Sequence, residues 1–247
     1  MSKNVLITGG GSAIAQQAAI IWANRGYSIF VVDKEGKKAQ AVANDLKVKG
    51  AKAVWSLEVD LTDMEAIGIM QEKVQNIMGH IDILLVAQGY LGEQKLAESS
   101  TDEAEKIITT NFTGAVLVME LAAKSMVERK QGVIVAISSV AGDRGRKSNY
   151  AYGAAKGALA IWAAGMRHRL TDQGVNVVTI KPGFVKTPMT AAIEHKGMMW
   201  AEPVKVARDI VRAVDQKKTV IYTPWFWRWI MLAIVSIPNK LFNKLSI

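Results

Sequence analysis

The chain has 247 residues, of which 50% are hydrophobic and 21% charged, so it is long and apolar enough for one folded α/β domain and is not a disordered chain. It has no cysteine, which excludes disulfides, thiolate metal sites and a cysteine nucleophile and suits a cytoplasmic compartment. The formal net charge of +9 favours anionic partners such as an acidic lipid surface or a phosphorylated substrate; with no nucleic-acid motif present, nucleic acid is not expected.

The opening "MSKNVLITGGG" is a strand running into a glycine turn, because its apolar stretch is too short for a signal peptide. From there β-branched runs alternate with helical stretches. "NVLIT" precedes a helix over 12–25, "SIFVVD" one over 35–49, and "AVWSLEVD" one over 63–78. "IDILLVAQG" leads to a long helix over 102–130, and "GVIVAISS" to one over 149–171. "VNVVTIKPG", a helix over 203–216 and "TVIYTP" complete the series. Strands alternating with helices imply βαβ units, hence an α/β fold of the Rossmann type: a doubly wound parallel sheet with helices on both faces. The reading is one domain over 1–222 and an apolar, basic tail over 223–247. His80, His168 and His195 stand far apart without ligand spacing, so no metal is expected.

Two stretches carry chemistry. "TGGGSAIA", Thr8 to Ala15, puts a glycine-rich turn between the first strand and the first helix, where backbone N–H groups and the helix N-terminus can face a pyrophosphate. Asp33 ends the second strand, where a carboxylate accepts the ribose hydroxyls of NAD and repels a 2′-phosphate; with no basic residue at Ser12, NADH is favoured over NADPH. Asp60, after the third strand, falls where an adenine edge is expected. The second stretch, "SNYAYGAAKGAL", places Tyr152 and Lys156 four apart, on one helix face. A nearby ammonium lowers a tyrosine's pKa from about 10 towards useful general acid–base work. Tyr150 faces elsewhere and is read as lining the substrate pocket or as packing.

With Ser139 in "AISSVAG", Asn111 in "TTNFTG" and "KPGFVKT" from Lys181 to Thr187, these motifs stand in the order of the short-chain dehydrogenase/reductase family, which the chain resembles over nearly its whole length. The resemblance implies hydride transfer between nicotinamide and a carbonyl carbon. Tyr152 then moves the proton, Ser139 holds the substrate oxygen, Lys156 tunes Tyr152 and holds the nicotinamide ribose, and Asn111 connects the lysine to solvent through a water. It assigns the dinucleotide to Gly9, Gly11, Ser12 and Ile14, to Asp33, Asp60 and Leu61, to Ala87 and Gly89, and to Lys156, Pro182, Gly183, Val185 and Thr187. Ser138 is read as structural. It also implies a homodimer or homotetramer. The chain departs from the family's TGxxxGxG at Ala13 and Ala15, and from its NNAG at Val86-Ala87-Gln88-Gly89. An alanine where φ must be positive costs about 1–2 kcal/mol.

Between Ser139 and Tyr152, "GDRGRKSN" carries Arg144, Arg146 and Lys147, and paired arginine hydrogen bonds suit a substrate phosphate. From Gln216 onward there is no acidic residue, while Lys217, Lys218, Arg228, Lys240 and Lys244 are present. The run from Trp225 to Ile237 is shorter than the about 20 apolar residues a bilayer needs, and clustered tryptophans with flanking cations suit a membrane interface. These stretches resemble the branch of the family that includes decaprenylphosphoryl-2-keto-pentose reductases. That implies a lipid-linked keto-sugar as substrate and a peripheral location on the inner face of the cell membrane. Two other readings are a soluble reductase of a polyol, 3-oxoacyl or steroid-like ketone with the tail as a subunit interface, and an inactive nucleotide-binding scaffold.

Overall fold

Parallel strands covered on both faces must be apolar almost throughout, and the runs picked out above satisfy this. The structure, a computed structural model, describes residues 2–191, 197 and 199–245. The chain runs β1 (Asn4–Thr8), α1 (Ala13–Ala23), β2 (Ser28–Asp33), α2 (Gly36–Val48), β3 (Ala53–Glu58), α3 (Met64–Met78) and β4 (Ile83–Val86). A short α4 (Gln94–Ala97) and α5 (Thr101–Ile108) follow, then a π-helical turn (Thr109–Thr113), α6 (Gly114–Glu128), β5 (Gly132–Ile137) and α7 (Tyr150–Leu170). The last part holds β6 (Val175–Pro182), β7 (Phe184–Val185), β8 (Trp200–Ala201), α8 (Pro203–Asp215), β9 (Val220–Thr223), α9 (Trp227–Ser236) and α10 (Asn239–Phe242).

Seven strands form one parallel sheet in the order β3-β2-β1-β4-β5-β6-β9; β7 and β8 form a separate parallel pair. Alternate side chains of each strand enter different cores. Val5, Ile7, Ile29 and Val31 pack with Ala18, Trp22, Leu46 and Ile210 of α1, α2 and α8. Leu6, Phe30 and Leu84 pack with Ile67, Met70, Met119 and Leu159 of α3, α6 and α7. The chain crosses from β3 back to β4 on the far side of β1, so the strand order reverses between β1 and β4. In such sheets the crevice at the carboxyl ends of those strands is where ligands bind.

The fold class and the strand–helix alternation agree with the sequence reading. The expected single helix over 102–130 is instead split by the π turn. The Asn111 amide donates to Ile107 O and Tyr90 O at 2.8 and 2.6 Å, which ties that turn to the loop after β4 instead of leaving a regular helix. Taken whole, Thr101–Glu128 is long and apolar enough to cross a membrane, but half of its apolar window is buried in the domain, as in a core helix. The tail folds as α9 and α10. Trp227 and Met231 are buried against Val140, with Phe184 and Tyr222 packed around them.

Candidate active site

The glycine-rich turn closes β1 onto the crevice. Gly9 has φ +66°, and a Cβ there would overlap the backbone of Gln88, so only glycine fits between β1 and the loop after β4. The Gly11 N–H donates to Asp33 Oδ2 at 2.7 Å, and Glu35 N to Asp33 Oδ1 at 3.1 Å. The carboxylate at the end of β2 is thereby held against the turn. Ala13 and Ala15 lie inside α1, and neither has positive φ, so the backbone cost considered for alanine there does not arise. Asp60 accepts from both the backbone and the hydroxyl of Thr62, which hold its pKa below the usual carboxylate value against the opposing effect of burial.

One cavity of about 480 Å³ runs along this crevice. Every cofactor residue expected from the sequence lines it: Gly9, Gly11, Ser12, Ile14, Asp33, Asp60, Leu61, Ala87, Gly89, Lys156, Pro182, Gly183, Val185 and Thr187. Ser139 and Tyr152 line it too. Its size and its glycine cradle fit a dinucleotide: at one end the Gly9–Asp33 turn offers backbone N–H groups and a carboxylate, at the other lie Tyr152, Lys156 and Thr187.

At the second end, Ser139 follows β5, its side chain accepts from Ala141 N at 3.1 Å, and it lines the cavity together with Tyr152. Lys156 is buried one turn further along α7, with Nζ donating to Ile137 O at 2.9 Å and lying 5.8 Å from the Tyr152 ring centroid. Burial pushes Tyr152 up to about 12, with the Ser139 hydrogen bond pulling the other way; burial also pushes Lys156 down to about 8. The sequence led us to expect a depressed tyrosine pKa. Here the ammonium sits over the ring and not on the hydroxyl, so desolvation of the phenol dominates. A neutral phenol at pH 7 is the form that donates a proton. Ser138 Oγ donates to Lys156 O at 2.7 Å, which fixes α7 against β5 and fits the structural role read for it.

Asn111 is fully buried, and its amide is spent on the backbone of Ile107 and Tyr90. It nevertheless lies close to Lys156, because an ideal Cβ on Gly89 would stand 3.2 Å from Asn111 Oδ1 and 3.5 Å from Lys156 Nζ.

The three expected substrate residues fall outside the cavity wall. Tyr150 is exposed at the first turn of α7. Arg144 turns to the tail, where its guanidinium donates to Ile234 O, Val235 O, Ile237 O and Asn239 Oδ1 at 2.6 to 3.0 Å. Both of its Nη atoms are engaged there, which is the physical reason its side chain turns to the tail instead of lining the cavity. Arg146 reaches Met231 Sδ at 3.4 Å and keeps a buried Nε without a partner; burial pushes its pKa below the ordinary value, against the charge of Asp143. His195 lies outside the described residues. Among the described residues no group of three His, Asp or Glu side chains could hold a metal ion.

Sequence reasoning missed several residues here. Gln94 Oε1 of α4 accepts from Ala151 N at 2.9 Å and so caps the first turn of α7, which carries Tyr152. Thr8 Oγ1 donates to Gln88 Oε1 at 2.6 Å across the turn. Lys38, Lys106, Thr110 and Met189 also line the cavity. None of these has a local signal, because each depends on segments far apart in sequence.

The sheet order, the crevice and the Ser139–Tyr152–Lys156 cluster define a dinucleotide-dependent oxidoreductase of the α/β class. The sequence matches the short chain dehydrogenase family over residues 3–197, and the chain belongs to that family. It is 31% identical, over 98% of its own length and 96% of the relative's, to an uncharacterised oxidoreductase of Mycobacterium tuberculosis. A short-chain dehydrogenase from Sphingobium yanoikuyae, solved with NADPH, superposes with a TM-score of 0.84 at 24% identity, covering 99% of this chain and 96% of that one. An actinorhodin polyketide ketoreductase variant, also solved with NADPH, gives 0.83 at 21% identity over 92% and 97% of the two chains.

Proposed function

We propose that this oxidoreductase is an NADH-favouring ketoreductase. The observation that carries the reading is the meeting of Ser139, Tyr152 and buried Lys156 at one end of a cavity whose other end holds Asp33 against a glycine turn. Bound nicotinamide would supply the hydride; the chain's residues place the ketone and manage its proton. Ser139 orients the substrate oxygen, and Tyr152, neutral at pH 7, donates the proton that turns this oxygen into an alcohol. Lys156 holds positive charge near the phenolate that this leaves, and its burial makes that charge more effective than in water. Asn111 keeps the loop after β4 and the π turn in place around Lys156. Asp33 receives the ribose hydroxyls, which disfavours the extra phosphate of NADPH; the structural neighbours solved with NADPH make this preference worth testing directly.

For the substrate we propose a phosphorylated, lipid-linked keto-sugar met at an anionic membrane surface. The tail supports this. Trp225, Trp229 and Leu232 are 69%, 59% and 57% exposed on its outer side, and the segment from Gln216 on has cations and no carboxylate. Arg146, in the basic loop between Ser139 and Tyr152, is the candidate for the substrate phosphate. A second reading, a reductase of a non-lipid ketone, is favoured by the burial of Trp227 and Met231, which makes the tail part of the domain. Loss of NADH absorbance with a panel of cyclic and phosphorylated ketones tests the reaction. Turnover on phosphorylated ketones that Arg146→Ala weakens through KM supports the first reading, and equal KM in both proteins supports the second. NADH binding without turnover on any ketone contradicts both and returns the scaffold alternative.

A further inference from the structure

The loop between Ser139 and Tyr152 and the tail meet at one side chain, and the mechanism above makes no use of it. Arg144 donates through Nη1 to Ile234 O, Val235 O and Ile237 O at 2.6, 3.0 and 2.6 Å, and through Nη2 to Asn239 Oδ1 at 3.0 Å. Its Cζ stands 3.8 Å from the centroid of the Phe242 ring. These carbonyls belong to the last turn of α9 and the residue after it, where a helix runs short of internal donors and a cation is favoured; Ile234 O also accepts from Ile237 N at 3.3 Å. The planar guanidinium thus caps α9 and stacks on α10 in one move. The base of the same loop is held separately, with Asp143 bonded to Lys181 of β6 and to the Tyr222 hydroxyl of β9.

The inner side of α9 meets the cleft wall. A Cβ at Gly183, which lines the cavity, would overlap the Trp227 indole, and Val140, next to Ser139, packs on Trp227 and Met231. Phe184 sits edge-on to Trp227 and stacks on Trp200 of β8. The tail therefore backs two cavity-facing segments, the one after β5 and the one after β6.

We propose that Arg144 is a positioning residue, a clasp that fastens α9 and α10 across the substrate side of the cleft, so that the tail forms the outer wall of the substrate site. The wall rests on the ketoreductase reading; the clasp does not. Four proteins in their full length, the parent, Arg144→Ala, Arg144→Lys and Phe242→Leu, would be compared in trypsin cleavage at Arg228, Lys240 and Lys244, in NADH affinity by fluorescence, and in ketone kinetics. Arg144→Ala should speed tail cleavage about tenfold and raise the ketone KM by a similar factor, with kcat and NADH affinity within about twofold of the parent. Phe242→Leu, which removes only the ring, should speed cleavage about twofold to fivefold and guards against Arg144→Ala failing to fold. Arg144→Lys should restore part of the protection, because an ammonium still donates to carbonyls but cannot stack as a plane. Unchanged cleavage in both the alanine and leucine variants overturns the clasp. Faster cleavage with an unchanged KM overturns the wall. If the parent turns over no ketone, the functional reading fails, and the cleavage rates alone decide the clasp.

Discussion

The two ends of the cleft are built in different ways. At the cofactor end a short contiguous stretch does most of the work: Gly9 and Gly11 sit in one turn, and Asp33 closes on it through a hydrogen bond from the backbone of Gly11. At the substrate side, residues far apart in the chain meet: Arg144 with Asn239, Asp143 with Tyr222, Gly183 with Trp227. The first kind of site is specified locally and tolerates change elsewhere. Two of the three contacts of the second kind, Arg144–Asn239 and Gly183–Trp227, depend on the docked tail, so this is the side expected to respond to a single substitution there.

The comparison can be broken most strongly where the two ends meet, at the reacting groups. Tyr152→Phe should lower kcat for ketone reduction by about 10²–10⁴-fold while leaving NADH affinity unchanged, measured by initial rates and by fluorescence titration. Asp33→Asn should weaken NADH binding by about tenfold and narrow or reverse the preference over NADPH, without altering tail cleavage. The pH dependence sharpens the picture at the lysine. Lys156 is pushed down to about 8, so it is charged below that pH and neutral above it, and kcat/KM for reduction should fall as pH rises through about 8. A flat profile from pH 7 to about 9 would remove the ammonium from the mechanism. Gly183→Ala should act on the substrate side, costing about 1–3 kcal/mol in thermal unfolding as the new methyl displaces Trp227. The smallest effect on catalysis is expected on the outer face of the tail. Trp229→Glu should abolish co-sedimentation with anionic liposomes, yet change turnover of a water-soluble ketone by less than about twofold.

The same contrast explains what the sequence could tell. The strand–helix alternation was legible because continuous apolar, β-branched runs are local signals, as are a glycine turn and an acid after the second strand; the cavity collects the residues that these signals and the family resemblance named. Tyr152 and Lys156 were legible from their spacing, yet their protonation was not. The spacing says they share a helix face, whereas their pKa values depend on how deeply the packing of α7 against β5 buries them. The break at Asn111 was hidden because its cause, the backbone of Tyr90, lies on another segment. The docking of Arg144 on the tail was hidden for a related reason. Arginine chemistry is the same towards a phosphate and towards helix-terminal carbonyls, and only the folded tail decides between them.

The most direct measurement is a single-turnover reaction with NADH deuterated at the transferring position and a cyclic ketone, followed by mass spectrometry of the alcohol, for the parent and for Tyr152→Phe. The account predicts deuterium on the carbinol carbon with the parent, and NADH binding of equal strength but almost no labelled alcohol with the variant. Label-free alcohol, labelled product from both proteins at one rate, or binding by the parent without any alcohol would contradict it.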